Sequence, residues 1–276
     1  NTVEENLYFN FLNFSYIYNG GGVAVGDINN DGLEDIYFTS NQNSNKLYLN
    51  KGNFVFEDIT ESARVEDHEG WSTGVTMVDI NNDGWLDIYV CKSGSLDNRK
   101  ARQNKLYINQ KNNKFKEEAL KYGLKEYSFS TQAHFLDYPK LQPRLTKDDI
   151  DRLFRNDNGT FIDVTKSSGV AKKAWGLSAS IGDFNNDSWP DIYVANDFLE
   201  PDFLYINNKN GTFTDEVLTR FKHIPANSMG SDFADINNDL LPDLIVLDMM
   251  AADRKRGKEN MATMSTAKFN RLVNRG

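Results

Sequence analysis

The stretch Gly26-Asp27-Ile28-Asn29-Asn30-Asp31-Gly32-Leu33-Glu34-Asp35 sets three aspartates and an asparagine into one short turn. Nearly the same letters return as Asp79-Ile80-Asn81-Asn82-Asp83-Gly84-Trp85-Leu86-Asp87, Asp183-Phe184-Asn185-Asn186-Asp187-Ser188-Trp189-Pro190-Asp191 and Asp235-Ile236-Asn237-Asn238-Asp239-Leu240-Leu241-Pro242-Asp243. Asp27 and Asp79 are 52 residues apart, as are Asp183 and Asp235, while Asp79 and Asp183 are 104 apart, twice that spacing. A fixed period of this length is the mark of a repeat architecture. A further copy is expected in the gap, and Ser130 to Asp137 does match Ser72 to Asp79. Its loop then fails as Tyr138-Pro139-Lys140-Leu141-Gln142-Pro143.

Each acidic loop is preceded by an alternating run, with Val25, Met77, Phe135, Ile181 or Phe233 two residues before the first loop position. Each exits into Asp-Ile-Tyr-Phe, Asp-Ile-Tyr-Val or Asp-Leu-Ile-Val. Alternation into β-branched and aromatic residues reads as strand, loop, strand. Further strands follow at Lys46 to Asn50, Lys105 to Asn109, Arg152 to Asn156 and Phe203 to Asn207. Turns such as Asn158-Gly159 and Asn210-Gly211 then lead to a fourth, as at Phe54 to Ile59, Phe161 to Val164 and Phe213 to Val217. Four antiparallel strands per repeat make a propeller blade. The expected fold is all-β: a β-propeller of four-stranded antiparallel blades in a domain over residues 1–250. Its repeats fall at roughly 20–65, 71–124, 128–170, 175–221 and 228–250. A propeller typically closes with four to eight blades, so sequence outside this chain is expected to complete the ring. Residues 251–276 read as a linker or the start of a following segment.

Composition narrows the function. Of 276 residues, 39% are hydrophobic and 12% aromatic, enough for a substantial core. The net charge of −9 argues against nonspecific nucleic-acid binding, which needs a basic surface. No run reaches the roughly 18 to 20 apolar residues of a membrane-spanning helix. Cys91 is the one cysteine, so neither an intrachain disulfide nor a cysteine-based zinc site is available, and it is expected to be a packed thiol. The three histidines, His68, His134 and His223, lie in unrelated contexts and suggest no catalytic constellation. His134 is expected as a packed ring in a strand.

The loops themselves suggest a hard cation. Calcium takes six to eight oxygen ligands, and a nine-residue loop can offer side chains at positions 1, 3, 5 and 9 and a carbonyl at 7. The candidate ligands are Asp27, Asn29, Asp31, the Leu33 carbonyl and Asp35; Asp79, Asn81, Asp83, the Trp85 carbonyl and Asp87; Asp183, Asn185, Asp187, the Trp189 carbonyl and Asp191; and Asp235, Asn237, Asp239, the Leu241 carbonyl and Asp243. An all-oxygen set speaks against zinc and copper. Three carboxylates in one turn repel unless a cation holds them, and four divalent ions would move the net charge from −9 to about −1. An EF-hand is excluded because its position 12 needs a glutamate, where this chain has Phe38, Val90, Val194 and Val246. Position 6 is Gly32 and Gly84 in two loops but Ser188 and Leu240 in the others. If that position is left-handed, the sites at Asp183 and Asp235 are expected to be weaker.

These residues resemble the FG-GAP/VCBS repeat proteins, whose DxNxDGxxD loops bind calcium in propeller blades, as in integrin α-subunit heads. Asn19 to Asp27, Trp71-Ser72-Thr73-Gly74 and Ser228-Met229-Gly230 are similar to the large ASPIC/UnbV-type proteins. In Gram-negative bacteria those are commonly surface-exposed lipoproteins with longer chains. The resemblance spans about residues 10 to 252 and departs at Asp137. It implies an extracellular, calcium-binding, non-enzymatic scaffold that binds a protein or a surface glycan. Such a scaffold would sit on the outer face of the outer membrane as a lipoprotein, in an envelope complex, or be secreted. The alternative is a calcium-dependent polysaccharide lyase or hydrolase, although Glu34, Glu57, Glu117, Glu200 and Glu216 show no paired arrangement. Trp71, Trp85, Trp175 and Trp189 recur at equivalent places and are expected to pack between blades rather than stack on sugars.

Overall fold

A computed structural model describes residues 17, 19–94, 98–135, 150–197, 200–225, 227–239 and 241–249. The degenerate loop after Asp137, Leu240 and the tail 251–276 lie outside the described residues. The chain divides into two compact units, Asn1–Ser167 and Ser168–Gly276.

In the first unit, β1 (Val23–Gly26), β2 (Asp35–Phe38), β3 (Lys46–Asn50) and β4 (Phe56–Asp58) form one antiparallel sheet in chain order. A short helix α1 (Thr60–Ala63) follows. A second such sheet comprises β5 (Trp71–Val78), β6 (Asp87–Ser93), β7 (Lys105–Asn109) and β8 (Phe115–Glu117). β9 (Phe154–Asp157) and β10 (Thr160–Asp163) pair as a hairpin. Asn158 and Gly159 turn it at φ 52° and 85°, the two left-handed residues of a tight primed turn.

The second unit repeats the plan. β11 (Trp175–Gly182), β12 (Asp191–Asp197), β13 (Phe203–Asn207) and β14 (Phe213–Asp215) make a four-stranded sheet, followed by a short helix α2 (Val217–Arg220). β15 (Ser228–Ala234) and β16 (Asp243–Asp248) form a two-stranded one. The protein is therefore all-β, with antiparallel four-stranded sheets of the propeller-blade type.

The strands that leave the second and third loops are the most buried. Every residue of β6 and of β12 is buried, because each face of these central strands meets a different set of neighbours. Ile88 and Val90 join Tyr37, Leu47 and Leu49 in one cluster, whereas Tyr89 and Cys91 join Leu106, Ile108 and Phe161 in another. One strand thus ties two cores together. Cys91 is buried, as expected of a packed thiol.

The first strands of successive sheets come close by backbone contact. The Gly22 N–H donates to the Thr73 carbonyl at 2.9 Å, and the Gly74 N–H to the Thr131 carbonyl at 2.8 Å. A Cβ at Gly74 would stand 2.5 Å from that Thr131 oxygen, so only glycine fits there. Residues 131–135 run beside β5 without forming a regular strand, contrary to expectation, and His134 is exposed rather than packed. Its neighbours Ala133 and Phe135 are the residues that pack on the second cluster. The tryptophans also divide: Trp71 is buried at 3% exposure, but its counterpart Trp175 is 52% exposed. Equivalent sequence positions do not share one packing role.

Candidate metal centre

Each acidic loop bridges the ends of two paired strands. Gly26 pairs with Asp35, Val78 with Asp87, Gly182 with Asp191 and Ala234 with Asp243, so the first and ninth loop positions arrive side by side. In the first two loops the second position turns inward as an anchor, with Ile28 and Ile80 at 1% and 3% exposure, whereas Ile236 of the last loop is 54% exposed.

Within the loop, side-chain oxygens gather the backbone N–H groups. Asp27 Oδ2 accepts from Gly32 N at 2.7 Å and Oδ1 from Asp31 N at 3.1 Å. Asn29 Oδ1 also accepts from Asp31 N, and Asp31 Oδ1 from Leu33 N at 2.9 Å. The second loop repeats this, with Asp79 Oδ2 accepting from Gly84 N at 2.7 Å and Asp83 Oδ1 from Trp85 N at 3.1 Å. So does the third, through Asp183 to Ser188 N at 2.7 Å and Asp187 to Trp189 N at 2.9 Å. In the last, Asp239 N donates to Asp235 Oδ1 at 3.2 Å and to Asn237 Oδ1 at 2.9 Å, and Asp239 Oδ1 accepts from Leu241 N at 2.8 Å.

Two residues in each of the first three loops, and Asn238 among the described residues of the last, take a left-handed backbone. Asn30, Asn82, Asn186 and Asn238 have φ between 57° and 59°, a conformation asparagine tolerates better than other side chains. At position 6, Gly32 and Gly84 have φ 82° and 83°, and Ser188 is held at 68° in the same region. The sequence reading identified position 6 but missed position 4, whose invariable asparagine was the available signal.

The ninth position behaves differently from the others. Asp35, Asp87 and Asp191 are fully buried, and both oxygens of each accept backbone N–H groups. Asp35 takes Ile28 N at 3.0 Å and Asn50 N at 2.8 Å; Asp87 takes Ile80 N at 3.2 Å and Asn109 N at 2.8 Å; Asp191 takes Phe184 N at 3.0 Å and Asn207 N at 2.8 Å. Burial pushes all three carboxyls up, that of Asp87 to about 6, and the other two aspartates of each loop add like-charge repulsion.

The asparagine ending each third strand completes the loop, a role the sequence reading did not assign. Its side-chain amide donates to the carbonyl at position 8: Asn50 to Glu34 at 3.0 Å, Asn109 to Leu86 at 3.1 Å and Asn207 to Pro190 at 3.0 Å. The repeated ending Leu-Tyr-Leu/Ile-Asn was the signal for it.

All the candidate ligands are thus brought into their own loops, three carboxylates with an amide and a carbonyl oxygen in each. Among the described residues, no three His, Cys, Asp or Glu side chains already converge as a closed cage. The carboxylates are turned onto the loop backbone, and each retains lone pairs beyond the hydrogen bonds it accepts. By donor chemistry these residues could hold a hard divalent cation, and by donor chemistry they do not suit a soft one.

A family model described as "FG-GAP-like repeat" matches residues 27–90, 145–194 and 183–246, together more than half of the chain and all four acidic loops. Cartilage acidic protein 1 of Xenopus tropicalis is 42% identical over 72 residues, 26% of this chain and 11% of that protein. The mouse and human proteins of that name are each 39% identical, over 69 and 72 residues, again 11% of their length. The matched region is therefore about a ninth of each curated relative.

Proposed function

The chain belongs to the FG-GAP-like repeat proteins, and on that premise we propose that it is a non-enzymatic extracellular scaffold that binds a protein or glycan partner, its blades stiffened by up to four calcium ions. The observation that carries this reading is the loop network, built four times with the same partners and distances within a few tenths of an ångström. Asp27, Asp79, Asp183 and Asp235, with the residues at positions 3, 5, 7 and 9 of each loop, are the proposed ligands. The sites at Asp183 and Asp235 are the weaker ones, and the left-handed Ser188 supports this for the first of them. Bound calcium supplies charge compensation for three clustered carboxylates. Loops of this kind suit the millimolar calcium outside cells.

Several observations favour scaffold over enzyme. Cys91 is buried, and burial pushes its thiol up to about 12, so it offers no thiolate. His68, His134 and His223 lie on separate segments. Among the described residues no helix is long and apolar enough to cross a membrane. The matched relatives are named for cartilage, which supports a secreted or surface-exposed setting. The finer placement, as a lipoprotein of an outer-membrane complex, rests on the likeness of Asn19 to Asp27 and Trp71 to Gly74 to the ASPIC/UnbV type.

The test is native purification in millimolar calcium and again in EGTA, with co-purifying proteins identified by mass spectrometry and bound calcium by elemental analysis. Calcium with a defined partner lost in EGTA is expected. A chain free of calcium and alone in both preparations would remove the reading.

A further inference from the structure

Two lysines stand at the same place in two different sheets, each against a proposed ligand. Lys111 lies in the turn between β7 and β8, at φ 62°, and its N–H donates to Asn109 Oδ1 at 2.8 Å. Its ammonium is 3.3 Å from Asp83 Oδ2, at position 5 of the second loop. Lys209 lies in the turn between β13 and β14, at φ 60°, with its N–H donating to Asn207 Oδ1 at 2.9 Å. Its ammonium is 3.2 Å from Asp187 Oδ2, the same position of the third loop.

The first sheet lacks this device. The equivalent turn residue is Gly52, at φ 78°, whose N–H donates to Asn50 Oδ1 at 2.9 Å in the same way. It has no side chain to reach Asp31, and the adjacent Lys51 faces Glu57 at 3.8 Å. Among the described residues no ammonium pairs with Asp31.

The consequence follows from charge. Asp83 Oδ1 and Asp187 Oδ1 are taken by loop N–H groups, and the ammonium sits on Oδ2 of each carboxylate, an oxygen that in Asp187 also accepts from the Asn185 side-chain amide at 2.9 Å. Resting on the calcium reading, we infer that Lys111 and Lys209 are tethered counter-ions that compete with calcium at their loops and hold those loops together when calcium is scarce. The Asp27 loop, without such a lysine, is the tightest of these three. Both lysines are about half exposed, so solvent screens them and a lysine can swing aside. The expected effect on affinity is about threefold to tenfold.

The sequence offers a readout confined to the two loops concerned. Position 7 is Trp85 in the second and Trp189 in the third, but Leu33 and Leu241 in the others. Terbium, a trivalent substitute for calcium, luminesces when a tryptophan beside it is excited. Titrating the full chain with terbium under tryptophan excitation therefore reports on the lysine-bearing loops.

Lys111→Gln and Lys209→Gln are expected to lower the terbium concentration at half-saturation about threefold to tenfold. The double variant is expected to lose more thermal stability in EGTA than the unaltered chain does. As the converse, Leu33→Trp adds a sensitised site at the first loop, and adding Gly52→Lys is expected to raise its half-saturation by a similar factor. Terbium binding with half-saturation unmoved by these changes overturns the inference and leaves the calcium reading standing. Absence of both terbium luminescence and calcium-binding heat overturns the calcium reading, and this inference with it.

Discussion

The Asn109 side-chain amide donates to the Ile28 carbonyl at 2.7 Å, across 81 positions of sequence. The same amide donates to Leu86 O, and the Asn109 backbone N–H donates to Asp87. One buried residue therefore joins the second acidic loop to the first. Beside it the Asn30 amide donates to the Gly84 carbonyl at 3.0 Å, so the two loops touch directly as well.

Replacing Asn109 by alanine leaves two carbonyls without their donor in a buried place. An unsatisfied buried polar group costs about 1–3 kcal/mol, so Asn109→Ala is expected to destabilise the first unit by about 3 kcal/mol. Asn50→Ala, whose amide donates to Glu34 at an exposed position, is expected to cost about 1 kcal/mol. Urea unfolding of both variants checks the order, and equal losses would mean that the contact between loops carries no stability.

Calcium removal tests the loops. A site that binds only the folded state adds about 2.7 kcal/mol when the ion is a hundredfold above its dissociation constant. EGTA is therefore expected to lower the melting temperature, and Asp79→Asn to remove one ion from the stoichiometry measured by calorimetry. A melting temperature indifferent to EGTA would remove calcium from the account of stability.

Ser188 occupies a left-handed backbone where the first two loops have glycine. Relieving that conformation is worth about 1–2 kcal/mol. Ser188→Gly is expected to stabilise the second unit by about 1 kcal/mol and to tighten its cation site. Gly84→Ser is expected to do the reverse in the second loop. Melting curves with and without calcium separate the two effects.

Asp58 provides the pH dependence. Its hydrogen bond from Lys46 at 2.8 Å, together with those from the Thr60 hydroxyl and N–H, pulls its carboxyl down to about 2. A group depressed in the folded state stabilises above its unfolded value, near 3.8, and that contribution is lost as the pH falls towards 2. The pair is largely exposed, at 48% and 39%, so solvent screening limits it to about 1 kcal/mol or less. The unaltered chain is expected to exceed Asp58→Asn in stability above pH 4, with the gap closing by pH 2. A gap that widened on acidification would contradict the assignment.

Much of this protein was legible in its letters. The 52-residue spacing, the alternation before each loop and the β-branched exit located the strands, because a strand exposes opposite faces to opposite surroundings along its own sequence. The loops were legible because a turn must place its own short-range partners, as Asp27 does with the N–H of Gly32 five residues on. Other features needed the tertiary structure. That Asp35 is buried while Asp31 is exposed, that Trp71 is covered where Trp175 is open, and that Lys111 reaches Asp83 while no ammonium among the described residues reaches Asp31 all depend on neighbours brought in from elsewhere in the chain. Repetition determined the elements and their local chemistry, since those arise from contacts a few residues apart. Burial, cross-loop hydrogen bonds and the charge beside each site were decided by packing, which differs from one copy of the repeat to the next because each copy meets different neighbours.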